Sequence, residues 1–170
     1  MSDDPRLAFD PIDRAAELWG QHFGNAGAMQ LVTSVMRVQQ LLLARIDQAL
    51  KPYGITFARY EVLVLLTFSR AGSLPLSKIG ERLMVHPTSV TNAIDRLEAQ
   101  GLVRRVADRE DRRRTLAELT AEGKDVVAAA TQALLDIDFA VSGLDEQEQM
   151  EAYRLLRSMR ASAGDFPIEA

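Results

Sequence analysis

Cysteine is absent from this 170-residue chain. Its absence excludes a disulfide framework, a thiolate metal site, a catalytic thiol and a thiol-based redox sensor. Histidine is scarce, with His22 and His86 alone, too few for a His-rich centre, so no metal is expected. Long apolar runs are missing as well. The longest, Val62 to Leu66, falls far short of the ~18–20 residues that span a bilayer, so no membrane partner is expected. The first residues, Met-Ser-Asp-Asp-Pro, are acidic and carry no apolar signal core, and a cytoplasmic location is the expectation. No nucleophile–base pair, glycine-rich phosphate loop or recognisably spaced pair of carboxylates occurs. The chain therefore reads as a non-enzyme with no catalytic residue and no cofactor.

What is present is ordinary globular material. Hydrophobic residues make up 47% and charged residues 26%, which excludes wholesale disorder. A chain of this length buries roughly 70% of its unfolded surface. The net charge is −4, unpromising for a nucleic-acid partner, but its distribution is uneven. Between Lys78 and Arg114 nine Lys and Arg face six Asp and Glu, a local excess of +3 that leaves −7 on the flanks. Distribution matters more than the total for an electrostatic footprint.

The pattern along the chain is helical for most of its length. Asp10 followed by Pro11 is a helix start, with Ala15, Ala16, Leu18, Trp19 and Phe23 apolar, and Gly24 and Gly27 as breaks. From about Ala28 a wide apolar stripe (Leu31, Val35, Met36, Val38, Leu42, Ile46, Leu50) predicts a long helix ending at Lys51-Pro52-Tyr53-Gly54. One small domain cannot cover that stripe, and a second chain is its natural cover. Thr56 is placed to cap a helix running to about Ser69. Leu74-Pro75-Leu76 reads as extended, and Ser77 as the cap of a compact helix with Ile79, Leu83 and Met84 inward. After a tight turn, Pro87 opens a helix to Gln100, stopped by Gly101, with Val90, Ile94 and Leu97 inward. Leu102 to Val106 and Thr115 to Leu119 read as strands joined by a polar loop, a β-hairpin. Thr120 caps a helix predicted to reach about Val141, and Asp145 caps a last one to about Ala163.

This order is that of a winged helix-turn-helix: mainly α, with a small β-hairpin wing and a helical dimerisation region. A helix that enters a major groove must present small hydrogen-bonding groups in its first turns. The helix at Pro87 offers Thr88, Ser89, Thr91 and Asn92 there, with Arg96 a turn later. Thr methyls suit thymine, Asn pairs with adenine, and the free N–H groups of a helix start attract phosphate. Thr, Ser and Asn also favour helix starts for purely local reasons, so the hairpin carries the added weight. Its loop sets Arg109, Arg112, Arg113 and Arg114 at a tip suited to a narrow minor groove. Asp108 or Asp111 is placed to hold one of these arginines in a salt bridge and so fix the loop.

The segments Leu76-Ser-Lys-Ile-Gly-Glu-Arg-Leu83, Val85-His-Pro-Thr-Ser-Val-Thr91, Asp95-Arg-Leu-Glu-Ala-Gln-Gly-Leu-Val-Arg104 and Asp108-Arg-Glu-Asp-Arg-Arg113, with Leu119-Thr120 closing the hairpin, resemble the MarR family of transcriptional regulators. The likeness runs over residues 29–163. It implies a homodimer whose terminal helices interlock, leaving two winged modules for a pseudo-palindromic operator in double-stranded DNA. On that reading residues 1–54 form an arm and dimerisation helices, 55–120 the DNA-binding module and 121–170 further dimerisation helices. The resemblance assigns Thr88, Ser89, Thr91 and Asn92 to the reading face and Arg112 and Arg113 to the wing. The chain departs from the family pattern at His86, where Ser or Asp is common, at Met84, where Gly is common, and at Arg109, which replaces a frequent Pro. The resemblance also implies a small phenolic or anionic effector, for which Trp19, His22, Arg37, Tyr60 and Glu61 are the candidate residues. The alternative is a protein-interaction module of the same fold that no longer binds DNA.

Overall fold

The structure is a computed structural model that describes residues 7–108, 111 and 114–167. The described elements are seven α-helices and a small three-stranded sheet. They form two compact units, the first extending to Arg45 and the second starting at Ile46, inside a helix.

In the first unit, α1 (Pro11–Phe23) begins where Asp10 accepts the Ile12 N–H at 2.8 Å. The long helix α2 (Gly27–Leu50) starts after Asn25, whose side chain accepts the Gly27 N–H. Only Ile46 and Leu50, at the end of α2 that belongs to the second unit, are buried on this helix.

The second unit holds α3 (Phe57–Thr67), β1 (Ser73–Pro75), α4 (Leu76–Leu83), α5 (Pro87–Ala99), β2 (Val103–Ala107), β3 (Thr115–Leu119), α6 (Ala121–Leu135) and α7 (Glu146–Ser162). Leu63 and Leu66 of α3, Ile79 of α4, Ile94 and Leu97 of α5 and Leu134 of α6 are fully buried, with Val103 and Ala117 of the sheet beside them at 2% and 0% exposure. The sheet order is β1-β3-β2, antiparallel throughout. The extended piece expected at Leu74 is thus a third strand, paired Leu74 to Ala117 and Pro75 to Leu116. Proline is tolerated there because β1 is an edge.

Several local expectations need correction. Thr56 precedes α3 without capping it; the Phe57 N–H donates to Asp47 Oδ1 at 2.7 Å. Ser77 lies inside α4, which starts at Leu76 after Pro75. Met84 does not point inward: it is 62% exposed and takes the left-handed conformation that ends α4. The α6 helix stops at Leu135, short of Val141, because Asp138, Phe139 and Ala140 all adopt positive φ. Among the described residues no helix is long and apolar enough to cross a membrane, and no group of three or more His, Asp or Glu is placed to hold a metal ion.

Candidate nucleic-acid interface

The interface is built on α5. Its inner side is pinned by Val90, Ile94 and Leu97, exposed by 2%, 0% and 0%. The helical period then leaves Thr88, Ser89, Thr91, Asn92, Asp95 and Arg96 exposed. Pro87 occupies the first turn, and His86 Nδ1 accepts the Thr88 N–H at 3.2 Å. The histidine does the capping that Ser or Asp would do. Thr91 spends its hydroxyl hydrogen on Pro87 O at 3.1 Å. Its methyl and its oxygen lone pairs are what it can offer outward.

Two residues set the turn between α4 and α5. Met84 sits at φ 55°, ψ 39°, and Val85 N–H donates to Gly80 O at 3.1 Å. A left-handed residue is where glycine costs least, which accounts for the glycine common at this position; Met84 takes the same conformation with a side chain. Gly80 is the close-approach residue: a Cβ there would stand 3.3 Å from both Val85 O and Val90 Cγ2.

The wing is the β2–β3 hairpin, in register from Val103–Leu119 to Ala107–Thr115. Arg104 of β2 reaches across to Glu118 of β3 at 2.6 Å. At the tip, Asp108 N–H donates to Arg114 O at 3.2 Å and Arg114 N–H to Asp111 O at 2.8 Å. Arg114 Nε lies 3.3 Å from Asp111 Oδ2, so the expected wing salt bridge is present at Asp111. Arg109, Arg112 and Arg113 lie outside the described residues.

Sequence reasoning missed the link between wing and helix. Arg105 of β2 donates through Nη2 to Asp95 Oδ1 at 2.5 Å and through Nη1 to Glu98 Oε2, while Glu98 Oε1 accepts the Arg105 backbone N–H at 2.9 Å. A signal was available: Arg105 shares strand parity with buried Val103, and an inward arginine needs an anion. The backbone and side-chain bonds from Arg105 hold the Glu98 carboxyl below the usual glutamate range. Burial would lower the Arg105 pKa, but its bonds to Asp95 and Glu98 outweigh burial and raise it.

At the base of the wing, Thr120 caps α6. Its Oγ1 accepts Gly123 N–H at 3.0 Å and donates toward Gly101 O and Leu102 O at 2.8 and 3.0 Å. Gly123 presses so close that a Cβ would stand 2.1 Å from Leu102 O.

The candidate effector residues fall into two sets. In the first unit, Trp19 packs on Phe23 with ring centroids 5.0 Å apart, and His22 Nδ1–H donates to Leu18 O at 2.8 Å. Arg37 lines a 540 Å³ groove with Asp10, Ile12, Thr33 and Val38. In the second unit, Tyr60 is buried. Thr131 gives its hydroxyl hydrogen to Val127 O, so Tyr60 Oη donates to Thr131 Oγ1 at 3.0 Å. The Tyr60 hydroxyl is thus satisfied, and the residue also lines a 360 Å³ pocket with Val64, Phe68 and Lys124. Glu61, half-buried beside it, has its pKa raised by burial.

Comparisons with known proteins agree with this architecture. A model of the MarR family matches residues 57–115. The HTH-type transcriptional repressor MdtR of Bacillus subtilis is 31% identical over 143 residues, which cover 80% of this chain and 90% of the repressor. A crystal structure of a MarR family transcriptional regulator from Streptomyces coelicolor is 53% identical, covers 83% of this chain and 98% of its own, and superposes with a TM-score of 0.76. A second regulator of that organism, crystallised in complex with DNA, is 26% identical, with coverage of 85% and 92% and a TM-score of 0.73.

Proposed function

This chain belongs to the MarR family of winged-helix transcriptional regulators, and from that premise we propose that it works in the cytoplasm as a homodimer on a pseudo-palindromic operator, modulated by a small effector. One observation carries the DNA-binding part. The outer face of α5 offers Thr88, Ser89, Thr91 and Asn92, all exposed, from a helix locked behind by three buried side chains. Such a face reads base edges, while the wing arginines Arg109, Arg112, Arg113 and Arg114 supply minor-groove and phosphate contacts. Arg96, one turn beyond Asn92, is a further DNA contact of the same helix. No step of this function calls for a catalytic group.

The dimer reading rests on apolar surface. Residues 1–54 and 121–170 form the dimerisation part, and 55–120 the DNA-binding part. Leu31, Val32, Met36, Val38 and Leu41 are each at least 50% exposed, as are Met150, Tyr153 and Leu155 of α7. Twofold symmetry then places two reading helices in major grooves ~34–36 Å apart. A phenolic or anionic effector shifts that spacing by binding one dimer geometry more tightly than the other. Trp19, His22, Arg37, Tyr60 and Glu61 are its candidate contacts.

The test is a selection of bound duplexes by the purified protein, followed by gel-shift titration. Binding should weaken steeply with salt as counterions are released. Arg112→Ala and Arg113→Ala should weaken it with the dimer intact, and Asn92→Ala should change sequence preference more than affinity. No enrichment of any duplex at low salt would overturn the reading in favour of a protein-interaction module.

A further inference from the structure

Asp95 stands on the reading face of α5, seven residues beyond Thr88 and three beyond Asn92, and it is more than half exposed. A carboxylate there faces a polyanion and opposes binding. Glu98 follows one turn later. Both are tied to Arg105, and Glu98 holds that residue twice, by its backbone N–H and by its guanidinium. A single hydrogen bond leaves a strand free to swivel. Two bonds from one carboxylate, with a third contact to Asp95, remove that freedom. The Arg105 side chain is 28% exposed, so it is largely committed to these partners rather than presented to a ligand.

Resting on the DNA-binding reading above, we infer that Arg105 is a positioning residue: through Asp95 and Glu98 it sets the angle of the wing on the reading helix. That angle decides whether the wing tip reaches a minor groove when α5 lies in the neighbouring major groove. On this helix the two acids hold the arginine rather than only repelling DNA.

Electrostatics alone and positioning predict opposite signs, which makes the inference testable. If Asp95 and Glu98 act only as charges, Asp95→Asn and Glu98→Gln should tighten binding to duplex DNA. If they position Arg105, both should weaken it. The measurement is fluorescence anisotropy with a duplex selected by the unaltered protein, beside thermal melting of each variant. Glu98→Gln should weaken binding about fivefold despite removing a negative charge. Arg105→Met should lower the salt dependence by more than the ~0.9 per phosphate expected for one lost cation. Arg105→Lys, which keeps the charge but not the fork, should recover only part of the loss. Arg113→Ala should cost less in the Arg105→Met background than alone, because a mispositioned wing has less to lose.

Tighter binding by Glu98→Gln, or additive effects of Arg105→Met and Arg113→Ala, would overturn the role of Arg105 and leave the DNA reading standing. If Arg105→Met melts at the assay temperature, Glu98→Gln and Arg105→Lys decide the sign. A protein that binds no duplex overturns both readings.

Discussion

Leu63, Leu66, Ile79, Ile94 and Leu97 have no exposed surface, whereas Leu31, Val32, Met36, Val38 and Leu41 on α2 expose half of theirs or more. The same kinds of residue serve two purposes. In the winged module they close a core within one chain and fix the back of α5. On α2, and on α7 with no buried residue, they remain as surface that a partner must cover, here the proposed second copy. The module therefore draws its stability from its own packing. In the proposed dimer the terminal helices draw theirs from association, and so depend on concentration.

The largest expected effect breaks the module side of that contrast. Leu97→Ala should cost about 2–5 kcal/mol, read as a lower denaturation midpoint, whatever happens at the dimer face. Leu41→Ala probes the other side. It removes apolar surface worth about 1.5–3 kcal/mol when buried and should raise the dimer dissociation constant at least about tenfold in sedimentation. An unchanged dissociation constant would place Leu41 outside the interface. Thr120→Ala removes the α6 cap and should cost about 0.5–2 kcal/mol, seen as a lower melting temperature. The smallest effect is that of pH. Glu98 titrates below the usual 4.5, so its stabilising share is fully present above that value and is lost as pH falls through the depressed pKa. The stability difference between the unaltered protein and Glu98→Gln should hold steady near neutrality and shrink in acid.

Much of the fold was legible because its boundaries are written in local chemistry. Asp10-Pro11 opens α1, Thr120 caps α6, and Asp145 with Glu148 forms a reciprocal capping box for α7. Thr115 to Leu119 is a strand at the expected residues. At the start of α3, where the reading slipped, a distant residue decided. Asp47, ten positions away, supplies the α3 cap that Thr56 does not. Periodicity carried α6 past Leu135 because Ile137, Ala140 and Val141 keep the apolar rhythm through a left-handed turn of non-glycine residues. At the candidate site, the exposed face of α5 follows from period and burial. Strand parity signals that Arg105 needs an anion, but that Asp95 and Glu98 supply it is a tertiary event.

The junction at Thr120 leaves no slack. One residue separates the end of β3 from the start of α6; its hydroxyl grips both strand base and helix start, and Gly123 brings the two backbones into contact. A tilt imposed on α6 has no joint in which to dissipate. It would act directly on the root of the hairpin.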